Sequence, residues 1–94
     1  MKGLIKILWI DDKHETQQML LVAAKKLGLD LEVGKSPESV ELLRKNYWDY
    51  SAVLLDVNIL ESENSELSPS AANGAEAIKQ INDIKEKKFP IVIY

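Results

Sequence analysis

The sequence predicts an α/β protein, a parallel sheet with helices on both faces. Three observations carry this. IKILWI and AVLLDV are apolar at nearly every position, as expected of strands buried on both sides. These segments alternate with stretches of helical period in the order βαβαβαβ, which calls for right-handed crossovers. The 94 residues are 46% hydrophobic and 29% charged, enough for one domain spanning 1–94, near the lower size limit for a self-sufficient core.

The elements follow in order. Strand 1 is Ile5 to Ile10, β-branched and aromatic. Helix 1 is expected from His14 to Leu27, with Met19, Leu20, Val22, Ala23, Ala24 and Leu27 on a broad apolar face. Lys25 and Lys26 stand in its last turn and Gly28 stops it. Leu29 to Val33 alternates apolar and acidic residues, so strand 2 is an outer strand with one wet face. Ser36 caps helix 2, Pro37 takes its first position, and Val40, Leu42 and Leu43 follow. Strand 3 is Ala52 to Val57. The stretch from Glu61 to Gly74 is polar, acidic and Ser-rich with Pro69 inside it, and reads as a long loop, an insert at about 60–73. Ala75, Ile78 and Ile81 then keep helical spacing for helix 3, and after Pro90 strand 4 begins at Ile91.

Several function classes drop out on composition. A net charge of −3 leaves no basic stripe for phosphates, so no direct nucleic-acid partner is expected. Without cysteine there is neither a disulfide framework nor a thiolate zinc site, which is compatible with a reducing cytoplasm, the expected location. The N-terminal apolar run is broken by Lys6 and closed by two acids, too short for a signal peptide or a membrane span, so no membrane partner is expected.

The acids at the strand ends are the chemical signal. In open parallel sheets, sites lie outside the carboxyl ends of the strands. Asp11 and Asp12 close strand 1 and Asp56 closes strand 3, so neighbouring strands bring three carboxylates to one edge. At an effective dielectric near 20, each pair repels by roughly a few kcal/mol. A proton, a basic partner or a divalent cation must offset this, and hard oxygen ligands favour Mg²⁺. A carboxylate left free beside the cation is a nucleophile for a phosphoryl donor.

ILWIDD, VLLDVNI and FPIVIY resemble, over essentially the whole chain, strands 1, 3 and 4 of the receiver domain of two-component response regulators. The resemblance implies a flavodoxin-like sheet of order 2-1-3-4. It implies that Asp56 is the phosphoacceptor, that Asp12 binds Mg²⁺ directly and Asp11 through water, and that Asn58 adds its backbone carbonyl. A sensor histidine kinase or phosphotransfer protein is the implied donor, and an output domain or partner protein the implied receiver of the signal. Such a domain catalyses its own phosphorylation without being a conventional enzyme. Gly74 matches the glycine that ends the family's loop after strand 3.

The chain also departs from the pattern. Ile59 and Leu60 stand where the family usually has Met-Pro, and the long insert follows. The sequence ends at Tyr94, where the family places its switch Ser or Thr, and the family's strand 5 lysine, with α4, β5 and α5, has no counterpart. The expectation is therefore a fragment of a longer protein. Strand 4 is then an open edge, which favours a homodimer or a strand or domain swap.

Simpler roles stand beside these. Asp11 and Asp12 suit the cap of helix 1, although a cap gives no reason for Asp56. His14 reads as a solvated first-turn residue, Trp9 as core, and Tyr47, Trp48 and Tyr50 as an apolar collar. Glu61, Glu63 and Glu66 read as a solvated loop beside the acids, able to gate them. The alternative function is an interaction or dimerisation module without phosphotransfer. A dehalogenase-type phosphohydrolase fits poorly, because that class wants a second acid two residues after its nucleophile, where this chain has Lys13.

Overall fold

The computed structural model describes residues 5–13 and 18–94; His14 lies outside them. Four strands, β1 (Ile5–Ile10), β2 (Leu29–Gly34), β3 (Tyr50–Leu55) and β4 (Ile91–Ile93), form one parallel sheet in the order β2-β1-β3-β4. With α1 (Gln18–Lys26), α2 (Val40–Lys45) and α3 (Ala71–Asn82) this is a flavodoxin-like α/β arrangement, as expected.

The two faces of the sheet are covered unequally. Alternation along the strands sends Leu8, Ile10, Val53 and Leu55 to one side, where they meet Val40 and Leu43 of α2 and Ala77 and Ile81 of α3 in the main core. Ile7, Leu31, Ala52 and Leu54 line an apolar groove of about 240 Å³ with Leu20, Ala23 and Ala24 of α1. The apolar face expected of helix 1 is largely open: Ala24 is its one buried residue, while Met19 is 82% and Leu27 79% exposed. The described part of α1 packs beside β2 and leaves much of this face of the sheet open.

Local chemistry explains the boundaries. Gly28 has a φ of 86°, the left-handed turn that releases the chain from α1 into β2. The Ser36 hydroxyl accepts from the Glu38 N–H at 3.2 Å, and the turn it caps is 3₁₀ over Pro37–Ser39 before α2 begins. Of the expected collar, Tyr50 is buried in β3 and Tyr47 packs against the core, whereas Trp48 is 75% exposed. β3 starts earlier than its apolar run, at Tyr50, and stops at Leu55, before Asp56.

Helix α3 also starts earlier than composition predicts, so that Asn73 and Gly74 lie in its first turn rather than in the loop. Tertiary contact overrides their turn preference. A Cβ on Gly74 would lie 2.1 Å from the Val57 carbonyl oxygen, so only glycine lets the helix pack onto the backbone that follows Asp56. Asn73 Nδ2 donates to the Ile59 carbonyl at 3.0 Å, and an antiparallel bridge joins Ile59 to Ser70, closing the base of the insert.

A three-carboxylate cluster at the strand ends

Register brings the acids together. Ile10 pairs with both Gly34 and Leu55, so β1, β2 and β3 end level and their next residues emerge in one row. Ladder bonds run one step further, with Asp11 N–H donating to the Gly34 carbonyl and Asp56 N–H to the Ile10 carbonyl, both at 2.9 Å. Asp11, Asp12 and Asp56 can each offer a carboxylate oxygen such that all three atoms lie within 4.8 Å of one another.

The three acids differ in what holds them. Asp11 is 2% exposed; its Oδ1 accepts from the Lys13 backbone N–H at 2.7 Å and its Oδ2 accepts from the Tyr94 hydroxyl. Asp56 is half-buried, and its Oδ1 accepts from the Asn58 N–H at 3.1 Å. Both acids thus make the side-chain turn two residues on that bends a chain away from its strand. Turn-making accounts for part of their presence, but it does not account for Asp12. Its Oδ1 is buried and has no hydrogen-bond partner among the described residues. Such an oxygen is costly unless a proton or a cation completes it. Three convergent hard oxygens with one lacking a donor fit a divalent cation.

Tyr94 joins the same edge from β4. Ile93 pairs with Leu55, and the Tyr94 N–H donates to the Leu55 carbonyl at 3.1 Å. Its hydroxyl accepts from Trp9 Nε1 at 2.6 Å and donates to Asp11. Burial raises the Tyr94 phenol far above its ordinary pKa. The hydrogen bond to Asp11 and the charges of Asp11 and Asp56 push the same way, against the Trp9 N–H.

The insert is pinned at the neighbouring strand end. The Glu63 carboxylate accepts from the Lys35 N–H at 3.0 Å and the buried Ser36 hydroxyl at 2.6 Å, while its own N–H donates to Glu38 Oε1 at 2.6 Å. Glu61 and Glu66 are exposed, as expected, but Glu63 is a structural anchor, because the Lys35 N–H and the Ser36 hydroxyl converge on its carboxylate.

The structure thus brings together Asp11, Asp12 and Asp56, and sets exposed Asn58 beside Asp56 through its N–H. Sequence reasoning missed Tyr94 and Glu63. For Tyr94 the signal was its place one residue past a strand that ends level with β3; for Glu63 the sequence carries none. No protein-family model matches the chain, and no curated protein sequence matches it. Fold and site together define a small flavodoxin-like α/β domain with a carboxylate cluster, suited to a metal ion, at the carboxyl edge of its sheet. No helix among the described residues is long and apolar enough to cross a membrane.

Proposed function

We propose that this chain is a receiver-type phosphoacceptor domain, in which Asp56 takes a phosphoryl group from a histidine kinase or phosphotransfer protein. The observation that supports this most is the convergence of Asp11, Asp12 and Asp56 with a buried, partnerless Asp12 oxygen. Asp12 and Asp56 would hold Mg²⁺ directly, Asp11 through water and Asn58 by its backbone carbonyl. The chemistry that a bound Mg²⁺ supplies is positive charge, which lets a phosphoryl anion approach three carboxylates.

The chain's own residues do the rest. The Asn58 N–H orients the Asp56 carboxylate through Oδ1, leaving Oδ2 to attack phosphorus. The new P–O bond gives an acyl phosphate as the P–N bond of phosphohistidine breaks, and the imidazole leaves with the bonding pair and takes up a proton. The backbone after Asp56, held against Gly74 and bridged at Ile59, is the segment through which a modified site would bias an output domain or partner protein.

Intact mass after incubation with acetyl phosphate tests the proposal. One added phosphoryl group that requires both Mg²⁺ and Asp56, and is absent from Asp56→Asn, is the expected result. No adduct on the parent chain rejects it.

One observation favours a second function, strand-mediated association. Pro90 and Tyr94 make their ladder bonds to β3, so in a parallel pair the backbone groups of Ile91 and Ile93 face away from the sheet. A second copy adding a strand there would give a homodimer or a swap; light scattering that shows a monomer at every concentration discards it.

A further inference from the structure

We infer that Tyr94 is a positioning residue for the acid cluster, and that through it Trp9 senses whether the cluster holds a cation. This rests on the cluster being a Mg²⁺ site.

The polarity of the hydrogen-bond chain is forced. An indole N–H can only donate and an ionised carboxylate can only accept, so the phenol between them accepts from Trp9 and donates to Asp11. Asp11 is therefore gripped on both oxygens, by Tyr94 on Oδ2 and by the Lys13 N–H on Oδ1. Its carboxylate cannot turn without breaking one of them. Asp12, in contrast, carries a buried Oδ1 with no partner. This suits the division of roles proposed above, with Asp11 facing the cation through water and Asp12 offering the open oxygen.

Topology makes the link long-range. β3 lies between β1 and β4, so the Tyr94 side chain reaches past the end of β3, where Asp56 emerges, to meet residues of β1 and its exit. With Trp9, Leu20 and Leu54, its ring lines a groove on the thinly covered α1 side of the sheet. A cation beside Asp11 repolarises its carboxylate, and thereby changes the Tyr94 hydroxyl and the bond that the Trp9 indole makes to it.

The test is a titration with Mg²⁺ alone, followed by calorimetry and by indole emission. It is run in a Trp48→Phe background, which leaves Trp9 as the one indole of the two in the chain. The parent is expected to show both signals with one midpoint. Tyr94→Phe keeps the ring and should fold with the same circular dichroism. It should bind Mg²⁺ about tenfold more weakly, the low end of what one hydrogen bond to a charged group is worth, and its Trp9 emission should no longer respond. Trp9→Phe keeps the Tyr94 donation to Asp11, so calorimetry should find nearly the parent affinity. Equal affinity and an equal Trp9 response in Tyr94→Phe overturn the inference and leave the Mg²⁺ site standing. No binding by the parent in calorimetry overturns both.

Discussion

Neutralising Asp12 should stabilise the protein without Mg²⁺ and destabilise it, relative to the parent, with Mg²⁺. The cluster atoms lie within 4.8 Å of one another, so at that separation each pair of unit charges costs about 0.9 kcal/mol in water and about 3.5 kcal/mol at an effective dielectric of 20. Asp12→Asn removes two such pairs. Asp12 and Asp56 are half-buried, so the water value is a floor, and relief of about 2 kcal/mol is expected in chelator. Nothing offsets it at Oδ1, which has no hydrogen bond to lose. With Mg²⁺ at one hundred times its dissociation constant the parent gains about 2.7 kcal/mol, and the order of stabilities reverses. Urea unfolding of both proteins, in chelator and in Mg²⁺, measures all four values from the midpoints. Asp12→Asn less stable than the parent in chelator would refute the reasoning, because Asp12 would then be a cap whose charge the fold needs.

Further outcomes follow from single contacts. Glu63→Ala frees the Lys35 N–H and the buried Ser36 hydroxyl from their carboxylate, which costs about 1–3 kcal/mol and should open residues 60–69 to limited proteolysis. Gly74→Ala drives a Cβ to 2.1 Å from the Val57 carbonyl oxygen. A loss of about 1–3 kcal/mol in urea is expected, together with a lower yield of the Asp56 adduct, since Val57 follows the acceptor. Burial, then the nearby Glu32 charge, raises the Tyr50 phenol above its ordinary value of 10.0. A raised folded pKa means that the protonated phenol is the stabilised form. Its contribution is intact below 10 and lost as pH rises through the higher folded value, so the melting temperature should fall there, and less in Tyr50→Phe.

What could be read from the sequence was whatever depends on period and strand order. Ile5 to Ile10 forms β1 as predicted, because five of its six residues are β-branched, aliphatic or aromatic and leave no competing period. Asp11 and Asp56 meet because Ile10 pairs with Leu55 and each acid directly follows its strand; the sequence placed Asp56 at this edge although its apolar run extends to Val57. Less legible were the features decided by tertiary contact. Asn73 and Gly74 have turn chemistry locally, yet the close approach to Val57 makes them helix. Glu63 looks like its neighbours Glu61 and Glu66, and only the fold of the insert sets it against Ser36. Met19 and Leu27 have the right spacing for a buried face, but spacing does not say how much sheet a helix can cover.

That uneven coverage bears on the site itself. On the α2 and α3 side, closely packed apolar side chains hold Ile10 and Leu55 rigidly, and with them the backbone from which Asp11 and Asp56 leave. On the α1 side the support is a short hydrogen-bond chain, and Tyr94, its middle member, is 53% exposed. The backbone positions of the acids are therefore set by packing, whereas the orientation of the Asp11 carboxylate is set by two hydrogen bonds, from the Tyr94 hydroxyl and the Lys13 N–H. Perturbations of the main core should move stability and leave relative cation affinity among folded variants nearly unchanged. Perturbations at Tyr94 should do the reverse, because the hydrogen bond there contributes little to burial and much to the direction in which a charge points.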